Sequence, residues 1–134
     1  MAKRAVFGLA GWSGSGKTTL AEKLIKVLSE RGLSVAAIKH AHHKFDADMP
    51  GKDSWRHRKA GAGQVLVSSA MRSAHFIEHD REEPTLEMLL ARLNPCDVVL
   101  VEGFKKEAIP KLEIYRGELE LSPLYPEDPH IIAL

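Results

Sequence analysis

Apolar positions in this chain come in short blocks, and their spacing switches between strand-like and helix-like along the sequence. Ala5 to Leu9 is a compact apolar run that predicts a buried strand. Leu20, Leu24, Val27 and Leu28 then recur at helical spacing among charged Glu22, Lys23, Lys26 and Glu30. They predict a helix over Thr19 to Arg31, with Gly32 placed for a left-handed cap. Leu33 to Ile38 is small and apolar, as in a strand covered on both faces, so strand, helix and strand form a crossover unit with an at least partly parallel sheet. A polar, charged stretch from His40 to Lys52 predicts a long loop suited to ligand contact. Asp53 is placed to cap a short helix through Ala60.

The second half repeats the alternation. Val65 to Ser68 and Ala74 to Ile77 flank a polar turn, which fits two short strands or a hairpin, and the hairpin is the preferred reading. Leu86, Leu89, Leu90 and Leu93 share one helical face after Pro84, and that helix should stop near Asn94-Pro95. Val98 to Val101 is continuously apolar and ends on Glu102-Gly103; Ile109 to Arg116 alternates as another strand. Three prolines make Leu121 to His130 irregular. A last buried strand begins at His130-Ile131-Ile132, and with no helix after it the reading expects a C-terminal part of the fold to be missing. The expected architecture is a single domain over residues 1–134.

Between the first strand and the first helix stands Gly11-Trp12-Ser13-Gly14-Ser15-Gly16-Lys17-Thr18, a match to G-x-x-x-x-G-K-[ST]. At average residue usage, a chance match in a chain of this length has a probability on the order of one in a few hundred. The strand before and the helix after lower it further. Gly11, Gly14 and Gly16 bare the backbone so that its N–H groups can reach phosphate oxygens at the positive end of a helix dipole. Lys17 is placed to bridge β- and γ-phosphates and Thr18 to complete coordination of a phosphate-bound Mg²⁺, with Ser13, Ser15 and Thr19 as further donors. The motif makes 1–134 a nucleotide-binding domain of α/β class, a P-loop NTPase-like three-layer fold with a mostly parallel sheet and an antiparallel hairpin.

Composition narrows the partners. Lys plus Arg number 19 against 18 for Asp plus Glu, so no global charge draws the chain to nucleic acid or an anionic membrane. No apolar run approaches the roughly 20 residues that span a bilayer, and Lys3-Arg4 leads straight into a strand, unlike a cleaved signal. The expected location is cytoplasmic. Cys96 is the single cysteine, which excludes an intrachain disulfide, and it reads as a small core residue.

Two further groups carry candidate chemistry. Glu102 closes a buried strand, where α/β folds gather ligands, and occupies the place of the Walker B acid, usually Asp; with Lys17 it is the candidate catalytic pair, and with Thr18 and Asp46 the candidate Mg²⁺ set. Asp97, at the other end of that strand, is expected to face away from the site. The segment Lys39-His40-Ala41-His42-His43-Lys44-Phe45-Asp46-Ala47-Asp48 admits a transition-metal reading and an anion reading. Its two lysines favour the anion reading, in which Lys39, the histidines and later Arg56, Arg58 and Lys59 meet phosphates, with Asp46 or Asp48 near Mg²⁺. Asn94-Pro95-Cys96-Asp97 lacks the lysine of the guanine-reading N-K-x-D motif and precedes a strand, so it is not that motif.

Taken together, GWSGSGKTTL, IKHAHHKFDADMPGKDSWRHRKAGA, DVVLVEGFK and IPKLEIYR resemble the molybdopterin-guanine dinucleotide biosynthesis protein B family over most of the chain. The resemblance implies a GTP-binding, weakly GTP-hydrolysing homodimer with Mg²⁺. Such a protein acts mainly as an adapter for the molybdenum cofactor guanylyltransferase, with molybdopterin as a bound substrate. It implies phosphate contacts from Ser13 to Thr19, Mg²⁺ handling by Thr18 with Glu102 or Asp46, and approach of the His42 to Arg58 loop to the γ-phosphate or the pterin phosphate, with His42, His43, Lys52, Arg56 and Lys105 as the candidate phosphate or pterin contacts. A metal-delivery GTPase using the histidine-rich loop and a small-molecule kinase using Arg56, Arg58 and Arg72 are the competing classes.

Overall fold

The computed structural model describes residues 4–12, 14–41, 52–79 and 82–133. They fall into two compact units, one made of Met1–Ala41 with Leu86–Leu134 and the other of His42–Thr85.

The first unit is a five-stranded parallel sheet. Its strands are β1 (Ala5–Ala10), β2 (Val35–Lys39), β5 (Val98–Glu102), β6 (Lys111–Glu113) and β7 (Ile131–Ala133), in spatial order β2-β5-β1-β6-β7. β5 therefore inserts between the two strands of the predicted crossover unit. Its register places Val98 beside both Ala5 and Val35, and Glu102 beside both Leu9 and Lys39. A central strand needs apolar residues on both faces, and Val98 to Val101 are buried throughout. Val99 and Val101 face Leu86, Leu90 and Leu93 of α3 (Leu86–Ala91) and its C-terminal turn, with Val6, Ala36, Ile38 and Cys96 around them. The opposite face is left to α1 (Lys17–Glu30), which touches β1, β2 and β5 and buries Ala21. Each such valine or leucine contributes roughly 1.5–3 kcal/mol on burial.

Helix α1 ends as the sequence predicts. Gly32 is left-handed, its N–H donates to Ser29 O at 3.0 Å, and Leu33 N–H donates back to Leu28 O at 3.1 Å. Those two bonds satisfy carbonyls that the last turn would otherwise leave open. β6 is shorter than the predicted Ile109 to Arg116. Pro110 has no N–H to give, although its carbonyl accepts from Gly8 N–H at 2.8 Å, and after Ile114 N–H reaches Ala10 O the chain turns away.

The second unit holds α2 (Asp53–Lys59) and an antiparallel hairpin of β3 (Gln64–Ser68) and β4 (Ser73–Ile77), the preferred of the two arrangements read from the sequence. Ser69 closes the turn: its N–H donates to Arg72 O at 2.8 Å, and its hydroxyl accepts from the N–H groups of Met71 and Arg72. Arg58 of α2 lies over the Phe76 ring at 5.5 Å and pairs with Glu78 at 2.7 Å, pinning helix to hairpin. Among the described residues, no helix is long and apolar enough to cross a membrane.

Candidate functional site

The carboxyl ends of β1, β2 and β5 converge on the glycine-rich loop. Gly11 has φ 150°, Gly14 φ 81° and Gly16 φ 105°, conformations that L side chains rarely adopt. At Gly11 a Cβ would also come within 2.7 Å of both Ile114 O and Ser15 Oγ, so the loop is held tightly against β6 on that side. Around Gly14 and Gly16 nothing lies within 4 Å of an added Cβ, and bare backbone faces open space. The bond from Ser15 N–H to Trp12 O, at 3.0 Å, curls the loop upon itself.

Helix α1 begins at Lys17, two residues earlier than its apolar spacing predicts, because Lys17 and Thr18 carry no apolar signal although their backbone is helical. Gly16 precedes it in the left-handed region and no side chain caps the first turn. Three features leave room for an external anion: an uncapped N-terminus, no acid in the first turn, and the buried Ser15 hydroxyl, which has no hydrogen-bond partner among the described residues.

Charge is arranged to match. Lys17 is half-buried and its ammonium donates to Gly11 O at 2.7 Å. Burial chiefly, then Lys105 and Lys39, hold its pKa below the ordinary lysine value, and Glu102 opposes them. Lys17 thus feels two other lysines and one carboxylate, a local positive excess that an anion would relieve. Glu102 accepts a hydrogen bond from Thr18 Oγ1 at 3.1 Å, which brings the sequence-predicted acid and hydroxyl together. A hydroxyl and a carboxylate are hard oxygen donors, and so fit Mg²⁺ better than a transition metal.

The backbone after Glu102 is sharply bent. Gly103 has φ 89° and Phe104 φ 51°. A Cβ at Gly103 would come within 2.7 Å of His40 Cβ, and the His40 and Phe104 rings stack with centroids 4.6 Å apart. His40 N–H donates to Glu102 O at 2.9 Å. A positive φ at a non-glycine residue costs about 1–3 kcal/mol, so this turn is maintained by its surroundings. It directs the chain away from the sheet just where Glu102 meets Thr18.

The structure thus gathers Gly11, Gly14, Ser15, Gly16, Lys17, Thr18, Thr19, Glu102 and Lys105 in the first unit, at the end of the sheet predicted to bind ligand. Ser13, His42, His43 and Asp46 lie outside the described residues. Lys52 and Arg56 belong to the second unit, where Lys52 precedes α2 and Arg56 lines a shallow groove with Asp53, His57 and Ala60. Among the described residues, no group of three or more His, Cys, Asp or Glu side chains is arranged to hold a metal ion.

Comparison with known proteins decides the family. Residues 6–134 match the family model described as Molybdopterin guanine dinucleotide synthesis protein B. The chain belongs to that family. Among its relatives, the Molybdopterin-guanine dinucleotide biosynthesis adapter protein of Escherichia coli (strain K12) is 48% identical over 114 residues, covering 83% of this chain and 65% of that protein. The protein of the same name from Haemophilus influenzae is 43% identical over 131 residues, 96% of this chain and 72% of that protein. The chain therefore spans about two thirds of these relatives' length. The crystal structure of Bacillus subtilis MobB superposes with a TM-score of 0.68 at 31% identity, covering 87% of this chain and 72% of that one. The α/β fold expected from the sequence is the fold of this family.

Two charged residues of the first unit escaped the sequence reading. Lys111 and Glu113 are buried, only 2% and 3% exposed, on one face of β6. In sequence they look like the polar positions of a half-exposed strand; a Lys-x-Glu pair between Pro110 and Ile114 gives no sign that both charges are enclosed.

Proposed function

We propose that the chain binds GTP with Mg²⁺ and serves the biosynthesis of molybdopterin guanine dinucleotide as an adapter, with low hydrolytic turnover of its own. The adapter role is supported by the names of the Escherichia coli and Haemophilus influenzae relatives. The observation that carries nucleotide binding is the Thr18 to Glu102 hydrogen bond beside an open glycine cradle and the Lys17 ammonium. In this reading residues 1–134 act as one nucleotide-binding domain. The N–H groups from Gly14 to Thr19 and the Ser15 hydroxyl hold phosphate oxygens, and Lys17 and Lys105 balance their charge. Bound by Thr18 and Glu102, with Asp46 as a further carboxylate, Mg²⁺ would neutralise phosphate charge. Glu102 would orient the attacking water.

His42, His43, Lys52 and Arg56 are proposed as anion contacts to the γ-phosphate or to the phosphate of molybdopterin. The proposed partner is the molybdenum cofactor guanylyltransferase, the proposed assembly a homodimer and the proposed location the cytoplasm. The test is calorimetric titration of the protein with non-hydrolysable GTP and ATP analogues in Mg²⁺. The guanine analogue should bind more tightly; equal or reversed preference would overturn the assignment of GTP, and unchanged affinity in Lys17→Ala would overturn the phosphate site itself.

A further inference from the structure

The two buried charges of β6 are joined to the phosphate loop by contacts and short stretches of chain. Glu113 accepts hydrogen bonds from the N–H groups of Leu124 and Tyr125, at 2.6 and 2.9 Å, and so fixes the start of the short turn Tyr125–Glu127. Two residues before Leu124, the Ser122 carbonyl accepts the indole N–H of Trp12 at 2.7 Å. The other face of the connection runs through Lys111. Its ammonium donates to Asp128 at 2.6 Å and to the Lys105 carbonyl at 2.7 Å, and the Lys105 side chain in turn lies over the Trp12 ring at 5.6 Å. Starting at Trp12, the path goes to Ser122, along the chain to Leu124, across to Glu113, along β6 to Lys111, across to Lys105 and back to Trp12, closing a ring of contacts and short chain segments.

Trp12 lies within the phosphate loop, and its carbonyl accepts the Ser15 N–H that sets the loop's curl. Holding the indole therefore holds the backbone whose N–H groups face the open cradle. A buried carboxylate that satisfies two backbone N–H groups, and a buried ammonium shared between a carboxylate and a carbonyl, are expensive to disturb because each loss leaves an unpaired polar group out of water. The β6 side of the ring is stiff for that reason. It also brings Lys105 to the site: its carbonyl is tied to β6 while its ammonium rests on Trp12, near enough to Lys17 to repel it.

We infer that Lys111 and Glu113 are positioning residues for the phosphate loop, acting through segment 122–128, Lys105 and Trp12 to keep the loop in its anion-binding form before any anion arrives. The inference rests on the nucleotide-binding reading above, and its test has one arm that needs no nucleotide. In a Trp55→Phe background Trp12 is the only indole, and its emission reports the hydrogen bond to Ser122 and the overlying ammonium. Glu113→Gln cannot accept both N–H groups, so Trp12 emission should shift to the red and affinity for the non-hydrolysable GTP analogue should fall about ten-fold or more. Trp12→Phe keeps an aromatic ring but removes the indole N–H, and should weaken the same affinity about five-fold, the worth of one net hydrogen bond.

A folded Glu113→Gln protein with unchanged Trp12 emission overturns the ring. If Glu113→Gln does not fold, unchanged affinity in Trp12→Phe overturns the inference alone. A failed nucleotide reading looks different: the analogue does not bind the parent protein, while Trp12 emission still responds to Glu113→Gln.

Discussion

The two ends of β5 each carry an acid, and they are used in opposite ways. At the amino end, Asp97 accepts the Ser34 N–H at 2.7 Å and the Ser34 hydroxyl at 3.0 Å, while its own N–H donates to the Ser34 hydroxyl at 2.9 Å. The Ser34 N–H first, and then its hydroxyl, hold the Asp97 pKa below the ordinary carboxylate value. At the carboxyl end, the Glu102 carboxylate accepts one side-chain hydrogen bond among the described residues, from Thr18, and attracts Lys17, which two other lysines repel. One acid takes both its bonds from Ser34 and so ties the start of β2 to the start of β5. The other, in the proposed function, is left for a metal ion outside the fold. What each acid bonds to separates the two where residue type does not: the backbone N–H and hydroxyl of Ser34, just before β2, for Asp97, and the first turn of α1 for Glu102.

Exchanging or deleting these groups puts the distinction at risk. The largest effect is expected at Lys17. Lys17→Ala should weaken binding of the GTP analogue by roughly a hundred-fold, the worth of charged hydrogen bonds to phosphate, without lowering the melting temperature. Its pKa is depressed by folding, so the folded state holds this proton less tightly than the unfolded chain. Between the lowered value and the ordinary lysine value, stability in the absence of nucleotide therefore rises with pH, and below that window the charged Lys17 works against the fold. Calorimetric melting across alkaline pH should show that rise in the parent and a smaller one in Lys17→Ala. A variant that melts well below the parent would place Lys17 among the structural groups and break the comparison.

A smaller effect is expected from Glu102→Gln. Hydrolysis should slow by about ten-fold or more while analogue affinity changes much less, since the amide keeps an acceptor for Thr18 but carries no charge. Single-turnover hydrolysis set beside titration separates the two. Equal losses in both would make Glu102 a binding group only.

The smallest effect on ligand is expected from Asp97→Asn, which should leave analogue affinity unchanged and lower stability at neutral pH. Because folding depresses the Asp97 pKa, its contribution is present above the unfolded value and lost as pH falls through the folded one. The variant's acid unfolding should accordingly be flatter than the parent's below about pH 4. An altered nucleotide affinity would show that the two ends of β5 are not independent.

Much of this was visible in the sequence because it is local. β1, the phosphate loop, α1 and the Gly32 cap follow one another without interruption, and each is specified by residues within a few positions of itself. The same holds for the polar turn around Met71 to Ser73 between the hairpin strands and for the position of Glu102 at the end of an apolar run. What was hidden depends on residues distant in sequence. That β5 enters between β1 and β2 is settled by side chains some 60 residues apart packing together, as the register of Val35 on Val98 shows. Burial of Lys111 and Glu113 depends on the arrival of Leu124, Tyr125 and Asp128, and no spacing rule marks a charged residue whose partners come from a later loop. α1 starts early for a related reason: Lys17 and Thr18 bond to Gly11 O and to Glu102 rather than packing into the core, so they carry none of the apolar signal by which helices are found.

The insertion of β5 also sets a timetable for synthesis. β1 and β2 leave the ribosome early but do not pair with each other, and both depend on a strand translated about 60 residues after β2 ends. At roughly 5–20 residues per second that wait is about 3–12 s, during which two apolar strands have no native neighbour. The nascent chain therefore emerges with its central seam open, and the seam closes only when Val98 to Glu102 clears the exit tunnel.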